Sequence, residues 1–227
     1  MINLEEMTEK YRSTGYSERN ADARVCQDIV LKAIERSNLG RKLNCLDGIR
    51  IEIKGNRIEQ LSQQEYSGKR VYIIIRDDGG NSIESKIDLG VHANMKIEQD
   101  TYCFDVCMDD EEVSLLINSC EQIFAEKLRS LLCFGPLSTR YKDIFDFCYL
   151  KDHVNMTRLS ECIKAYIIDE PSMRERDMNG IRKRVSIIFS NRQFRNNVAH
   201  SGDRNWLQID VGVAFKMIQE FLGTVNM

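Results

Sequence analysis

Residues 71–75 read Val-Tyr-Ile-Ile-Ile, residues 82–89 read Ser-Ile-Glu-Ser-Lys-Ile-Asp-Leu, and Asp-Asp-Gly-Gly-Asn at 77–81 lies between them. The first run is β-branched and aromatic and the second alternates apolar with polar residues, which is typical of β-strands. Glycine and asparagine tolerate the positive φ of a tight turn. The stretch therefore predicts a β-hairpin, and it assigns the Gly-Gly pair to a turn rather than to phosphate binding.

Around this hairpin, the chain divides into a strand-rich part and a helical part. A helix is predicted from Ser17 to about Ser37, and further strands are predicted at 49–53 and 101–106. After about Asp109 the apolar residues recur at helical spacing, which predicts helices at 114–132, 141–150, 157–168, 180–190 and 210–222. The predicted fold class is α+β, with an α/β domain over 1–108 that carries a mixed or antiparallel sheet and a helical domain over 109–227.

The composition is that of an ordinary globular protein. The 227 residues are 42% hydrophobic and 30% charged, and the formal net charge is -3. No overall basic field attracts nucleic acid, so any such binding requires a local patch. The eight cysteines come without an N-terminal secretory segment, and no apolar run reaches the length of a membrane span. We expect a cytoplasmic protein without a membrane contact, whose cysteines are mostly small core residues.

A dense group of charges lies at 138–146, which reads Ser-Thr-Arg-Tyr-Lys-Asp-Ile-Phe-Asp. On a helix, Lys142 and Asp146 are four apart, and Arg140 and Asp143 are three apart, as are Asp143 and Asp146. All four charges can therefore form one ion-paired cluster beside apolar Ile144, Phe145 and Phe147. Such a cluster is either a set of ordinary surface pairs, each contributing a few tenths of a kcal/mol, or a group that positions phosphates.

With Glu-Lys-Leu at 126–128, this stretch resembles the last motif of the AbiEii/AbiGii toxin family of nucleotidyltransferase-like proteins, a Glu-Lys helix followed by an Arg-x-Lys-Asp-x-x-Asp helix. Residues 85–91, Ser-Lys-Ile-Asp-Leu-Gly-Val, resemble the preceding motif, a strand ending in Ile-Asp-Ile/Leu-Gly. The resemblance extends from about Ile49 to Leu150. It implies the toxin of a bacterial toxin-antitoxin or abortive-infection system, with a cognate antitoxin as partner. It also implies transfer of nucleotides from a nucleoside triphosphate with Mg²⁺, with RNA such as tRNA as acceptor in some members.

The resemblance also implies site residues. Asp88 matches one of the family's metal carboxylates, although a solvated edge-strand aspartate is the alternative, and Lys142 and Asp143 are the other catalytic candidates. The candidates for binding nucleotide phosphates are Lys69, Arg70, Lys127, Arg140 and Lys142, with Glu126 and Asp146 in support. Lys69 and Arg70 precede a strand, where they are equally explained as exposed cations of a turn.

The sequence departs from the family at the Gly-Gly and Asp-x-Asp segment. No Asp-x-Asp and no Gly-Ser occurs in the chain, and the only Gly-Gly is that of the hairpin. The family places this segment after the first helix, where this chain has only a short connection around 40–42. We expect an incomplete nucleotidyltransferase sheet, weak Mg²⁺ binding by Asp88 alone, weak or lost transfer, and an exposed sheet edge that promotes self-association.

Two other functions stay open. Residues 195–200, Arg-Asn-Asn-Val-Ala-His, resemble the Arg-Asn-x-x-x-His signature of HEPN ribonucleases, in which the arginine contacts the phosphate and the histidine transfers a proton. We expect His200 in a polar loop, where it is otherwise simply solvated. Trp206 is either a packing anchor for the last helix or a platform for base stacking. A non-catalytic protein that binds nucleotides or a partner is the third possibility.

Overall fold

The computed structural model describes residues 2–36, 46–60, 68–90, 99–107 and 113–226. The chain forms two compact units, Met1–Ile117 and Asn118–Met227. The first contains α1 (Leu4–Ser13), α2 (Glu18–Arg36), β1 (Ile49–Gln60), β2 (Gly68–Asp77), β3 (Ser82–Gly90), β4 (Asp100–Phe104) and β5 (Val113–Ile117). The second contains α3 (Cys120–Phe134), α4 (Lys142–Leu150), α5 (Met156–Ile163), α6 (Met178–Ser190), α7 (Arg192–Ala199) and α8 (Val211–Thr224). The α+β fold class is confirmed.

The predicted hairpin is formed by β2 and β3. The two strands are antiparallel, with Ile75 opposite Ile83 and Arg70 opposite Asp88, and Gly80 in the turn has a φ of 87°. β1 pairs with the other side of β2, also antiparallel, so the order is β1-β2-β3. The register shifts between Ile53 and Ile58, where β1 is irregular. The described sheet is thus antiparallel, one of the two arrangements predicted.

The inner face of this sheet forms the core of the first unit. Side chains alternate between the two faces of a strand, so the apolar residues at every second position of β2 and β3 point to one side. α1 and α2 contribute their apolar faces to the same core. Its buried residues include Leu4, Met7, Val25, Ile29, Ile49, Ile73, Ile75 and Ile83. β4 and β5 form a separate two-stranded antiparallel sheet, and Val113 is buried in the same core.

Asp77, at the end of β2, joins the hairpin to the N-terminus of α1. Its Oδ1 accepts a hydrogen bond from the amide of Asn81 at 2.8 Å, and its Oδ2 accepts from Asn81 Nδ2 at 3.0 Å and from the Leu4 amide at 3.1 Å. Burial raises the pKa of Asp77, but the hydrogen bonds from Asn81 and Leu4 outweigh it and hold the pKa below its usual value. The ionised carboxylate therefore stabilises both the turn and the start of α1.

We expect Asp77→Ala to lower the free energy of unfolding by about 2–3 kcal/mol, because three donors lose an ionised acceptor. The depressed pKa makes this contribution complete above the unfolded-state pKa of about 3.9 and progressively lost as the pH falls through the lower folded-state value. Urea unfolding at pH 7 and at acid pH measures both effects. Asp78→Ala is the matched control, since Asp78 is the exposed neighbour in the same turn. An equal loss in both variants would contradict the assignment.

In the second unit, six helices pack around an aromatic core. The rings of Phe189 and Phe215 stack with centroids 4.2 Å apart, and Phe124 of α3 meets Phe147 of α4 edge to face at 4.9 Å. Ile144, Phe145 and Phe147 are buried, as the spacing in α4 predicted. Polar side chains cap five helix N-termini by accepting hydrogen bonds from backbone amides: Ser119, Asn155, Asp177, Asn191 and Asp210.

Four described segments differ from the sequence prediction. Residues Val113–Ile117 form β5 rather than the start of a helix, because they pair with β4 and because Ser119 caps α3 at a later position. α1 and α7 were not predicted, since each buries only a few side chains and is otherwise polar. The predicted helix over 157–168 ends in a π-helical segment, Lys164–Ile168. None of the described helices combines the length and the apolar character that crossing a membrane requires.

Candidate functional site: a charge cluster between two helices

Four charged side chains form one network, called here the charge cluster: Lys127 of α3, Arg140 just before α4, and Asp143 and Asp146 of α4. Lys127 Nζ lies 2.5 Å from Asp143 Oδ1 and 2.8 Å from Asp146 Oδ2. Arg140 Nε donates to the other oxygen of Asp143 at 2.8 Å. The side chains of Lys127, Asp143 and Asp146 are only 17%, 10% and 14% exposed, whereas Arg140 is 44% exposed. The network thus has a shielded interior and one accessible cation.

The helix packing explains why these groups meet. Contact between Phe124 and Phe147 holds α3 against α4, and Lys127 lies one turn after Phe124 on α3. Asp143 and Asp146 are three positions apart, so both carboxylates face the same neighbouring helix. Water and salt screen the attraction between Lys127 and these shielded carboxylates less than they screen an exposed ion pair. The cluster is therefore more than a set of surface pairs.

Lys142 is the exception to the predicted arrangement. It is exposed and has no ion pair within the described part of the chain. The expected pair with Asp146 does not form, because both oxygens of Asp146 have other partners. Lys127 donates to Oδ2, and the indole Nε1 of Trp206 donates to Oδ1 at 2.9 Å. The charge of Lys142 consequently remains available to a ligand.

Trp206 and Glu126 complete the surroundings of the cluster. The sequence favours Trp206 as a packing anchor or a stacking platform, and its bond to Asp146 joins residues 60 positions apart, which no local spacing reveals. Glu126, predicted to support the site, accepts a hydrogen bond from Gln122 one turn earlier on α3 at 2.9 Å. The residue that sequence reasoning missed as a neighbour of the cluster is therefore Trp206.

In the first unit, Arg70 and Asp88 form a fork-like ion pair across neighbouring strands. Arg70 Nε lies 2.7 Å from Asp88 Oδ1, and Nη2 lies 2.9 Å from Oδ2. The hydrogen bonds from Arg70 hold the pKa of Asp88 below its usual value, and the same bonds raise the pKa of Arg70. Lys69 is opposite Leu89 in the ladder, but its side chain lies outside the described residues.

This pairing bears on the metal expected at Asp88. Mg²⁺ takes several oxygen ligands in near-octahedral geometry, whereas both oxygens of Asp88 already accept hydrogen bonds from a cation. Among the residues that the structure describes, no group of three or more histidine, cysteine, aspartate or glutamate side chains is arranged to hold a metal ion. These residues do not fit a Mg²⁺ site. The short connection at 40–42, where we expect the family's carboxylate segment to be lost, lies outside the described residues.

The residues of the ribonuclease hypothesis have separate contacts. Arg195 donates through Nη1 to the Phe189 carbonyl at 3.2 Å, and its guanidinium lies over the Phe215 ring at 5.3 Å. His200 is the C-terminal cap of α7, and its Nδ1 lies 2.8 Å from the Asn196 carbonyl. Asn191 caps the N-terminus of α7, which contains residues 195–199 of the motif, and His200 follows the helix as an exposed residue of a turn. Arg195 and His200 thus have structural contacts in and beside α7.

Comparison with known proteins identifies the family of the chain. Comparison with curated protein sequences gave no match. A family model described as "Nucleotidyl transferase AbiEii toxin, Type IV TA system" matches residues 22–201, which is well over half of the 227 residues and includes both the Arg70–Asp88 pair and the charge cluster. The chain therefore belongs to the AbiEii nucleotidyl transferase toxin family of type IV toxin-antitoxin systems.

Proposed function

We propose that this protein is a toxin-antitoxin component that binds the phosphates of a nucleoside triphosphate at the charge cluster, and that its nucleotide transfer is weak or lost. The observation that carries the proposal is the arrangement of Lys127, Asp143 and Arg140 on the motif shared with the family. The two shielded carboxylates and Lys127 fix one another. Arg140 and Lys142 then supply the accessible positive charge.

Arg140 is suited to this role by geometry. Its Nε is engaged by Asp143, which orients the planar guanidinium, and within the described chain its two terminal nitrogens have no protein acceptor. A guanidinium held in this way can donate two parallel hydrogen bonds to a phosphate. Lys142, two residues later, adds a point charge that has no ion pair among the described residues. Lys142 is also the first residue of α4, and the backbone dipole at a helix N-terminus favours anions.

We expect weak nucleotide transfer because no group of free carboxylates suited to hold the metal ions occurs among the described residues. Nucleotidyl transfer relies on divalent metal to neutralise the triphosphate and to stabilise the entering and leaving oxygens. Asp-x-Asp is absent from the sequence, and Asp88 is neutralised by Arg70. Binding Mg²⁺ at Asp88 would require Arg70 to move away and leave its own charge unpaired. We therefore assign Asp88 a structural pairing in β3, and expect it to hold Mg²⁺ poorly.

The partners follow from the family. A type IV system supplies an antitoxin partner, and we propose RNA such as tRNA as the acceptor of any residual transfer. β1 and β3 are the edges of the described three-stranded sheet, and unpaired strand edges promote pairing with another chain. We propose self-association or antitoxin binding at these edges. Sedimentation of the protein over a range of concentrations, alone and with its antitoxin, tests this step, and a monomer under both conditions would refute it.

The activity test combines purified protein, Mg²⁺, each labelled nucleoside triphosphate in turn and total bacterial tRNA, analysed on a denaturing gel. We expect unchanged, unlabelled RNA, together with measurable triphosphate binding in a separate equilibrium assay. Labelled, lengthened RNA would refute the expected loss of transfer, and Asp88→Asn would then show whether Asp88 takes part. Shortened RNA would support the ribonuclease alternative, for which His200→Ala is the matched variant. Undetectable triphosphate binding would refute the proposed site.

A further inference from the structure

A strip of three aromatic rings lies directly beside the charge cluster. Along α4 and the turn that follows it, Lys142, Asp146, Tyr149 and His153 recur at intervals of three or four residues, so they lie on one side of the helix. The ring of His153 stacks on that of Tyr149 with centroids 4.1 Å apart and an interplanar angle of 21°. The ring of Trp206 lies 5.5 Å from that of Tyr149. Trp206, Tyr149 and His153 are called here the aromatic strip.

The strip is exposed rather than part of the core. Trp206 is 44% exposed and Tyr149 is 45% exposed, and His153 is exposed as well. Phe215 and Leu222 of α8 are almost fully buried and contribute to the core, whereas Trp206 retains a large exposed area. The indole edge is fixed by its bond to Asp146, which leaves the ring in a defined position with accessible surface. Large rings held rigidly at the surface suit stacking against a planar ligand.

The charges around the strip select the kind of ligand. Lys142, exposed and without an ion pair among the described residues, lies on the same side of α4, and Arg140 is half-exposed next to it. Asp146 is common to both features, since one oxygen accepts from Lys127 of the charge cluster and the other accepts from Trp206 of the strip. An accessible cation beside an aromatic platform is the combination that binds the phosphate and the base of a nucleotide together.

We propose that the aromatic strip stacks an unpaired nucleobase whose phosphates are bound by Arg140 and Lys142. The inference rests on the proposed function, which places phosphates at the charge cluster, and it adds the base site. The base comes either from the nucleoside triphosphate or from the single-stranded end of an RNA. Asp146 positions the two sites relative to each other, because it holds Lys127 and Trp206 with its two oxygens.

The chain allows a direct test, because Trp206 is its only tryptophan. A stacked nucleobase quenches indole fluorescence, so the intact protein is titrated with four probes at excitation wavelengths that avoid nucleotide absorption. ATP is compared with tripolyphosphate, which has the charge but no base. A single-stranded RNA hexamer is compared with an abasic hexamer of the same length. We expect saturable quenching by ATP or by the RNA hexamer, and little or none by the two base-free probes.

Substitutions in the strip test which rings contribute. Tyr149→Leu is expected to weaken binding of the base-bearing probe about fivefold or more, whereas Tyr149→Phe retains the ring and near-normal affinity. Tyr102→Leu is the matched control, because Tyr102 is 52% exposed but lies on β4 in the other unit. Equal weakening by Tyr149→Leu and Tyr102→Leu would overturn the proposal. Circular dichroism of each variant confirms that the helices are intact, and Tyr149→Phe covers the case in which leucine disturbs folding.

The fluorescence titration identifies the source of the stacked base or refutes the base site. Quenching by ATP identifies the free nucleotide as the source of the base, and quenching by the RNA hexamer alone identifies the RNA end. Equal quenching by the abasic hexamer, or no quenching by any probe, overturns the proposal. Fluorescence that changes with protein concentration alone identifies the strip as an interface between copies, and also overturns it. Triphosphate binding without quenching would leave the proposed function standing and refute only the base site.

Discussion

The Lys127→Met variant is expected to lose about 3–5 kcal/mol of its free energy of unfolding, the largest stability effect in the helical unit. Lys127 is the only cation that contacts both Asp143 and Asp146 in the described chain, and all three side chains are largely shielded from water. Removing its charge leaves two carboxylates three positions apart on one helix without their shared partner. Methionine has similar length and apolar volume, so the packing of the aliphatic stem is largely kept.

Unfolding in urea, followed by the fluorescence of Trp206, measures this loss where it arises, because Trp206 is bonded to Asp146. Lys142→Met is the matched control: it removes the same charge from an exposed residue without an ion pair in the described chain, and we expect a change within about 0.5 kcal/mol. Adding Asp143→Asn and Asp146→Asn to Lys127→Met should restore part of the stability, since the uncompensated charges are then gone. Similar losses for Lys127→Met and Lys142→Met would show that the cluster is not a coupled network.

The features that could be predicted from the sequence are those set by local periodicity. The alternation in β3 and the Gly-Gly turn are sufficient to define the hairpin, because strand period and turn chemistry act over a few residues. In the same way, the three-residue spacing of Arg140 and Asp143 predicted their contact, which the structure contains at 2.8 Å. The short, partly apolar Val113–Ile117 segment lacked such a clear signal, and pairing with β4 decided its conformation.

The candidate site depended more on tertiary contacts. Spacing alone placed Lys142 beside Asp146, but Lys127 and Trp206, which are distant in sequence, occupy both oxygens of that carboxylate. Strand alternation places Asp88 on the same face of β3 as Lys86, but its partner Arg70 is set by the register between β2 and β3. Which charge is paired and which is accessible therefore follows from the helix and strand packing. The structural role proposed for Asp88 and the binding role proposed for Lys142 both rest on this difference.

The double variant Arg140→Ala/Lys142→Ala is expected to bind nucleoside triphosphate about a hundredfold more weakly than the unchanged protein. Each accessible cation removed costs a charge-assisted contact to phosphate, and a tenfold loss per residue corresponds to about 1.4 kcal/mol. Equilibrium binding of a labelled triphosphate without Mg²⁺ measures the effect independently of catalysis. The affinity of the unchanged protein should also fall as salt is raised, since both cations are at the surface.

Two controls test whether the binding depends on Arg140 and Lys142 in particular. One addresses the overall positive charge of the protein, and the other addresses the candidate metal carboxylate Asp88. Lys183→Ala/Arg192→Ala removes the same number of exposed cations from α6 and α7 and should leave the affinity nearly unchanged. Asp88→Asn should also bind normally, because Asp88 neutralises Arg70 in the first unit and the proposed phosphate site uses Arg140 and Lys142. Equal losses of affinity in the two double variants would show that binding depends only on the overall charge of the protein. A loss in Asp88→Asn alone would instead place the nucleotide at the strand position, and Arg70 would then have to release its carboxylate for the phosphates.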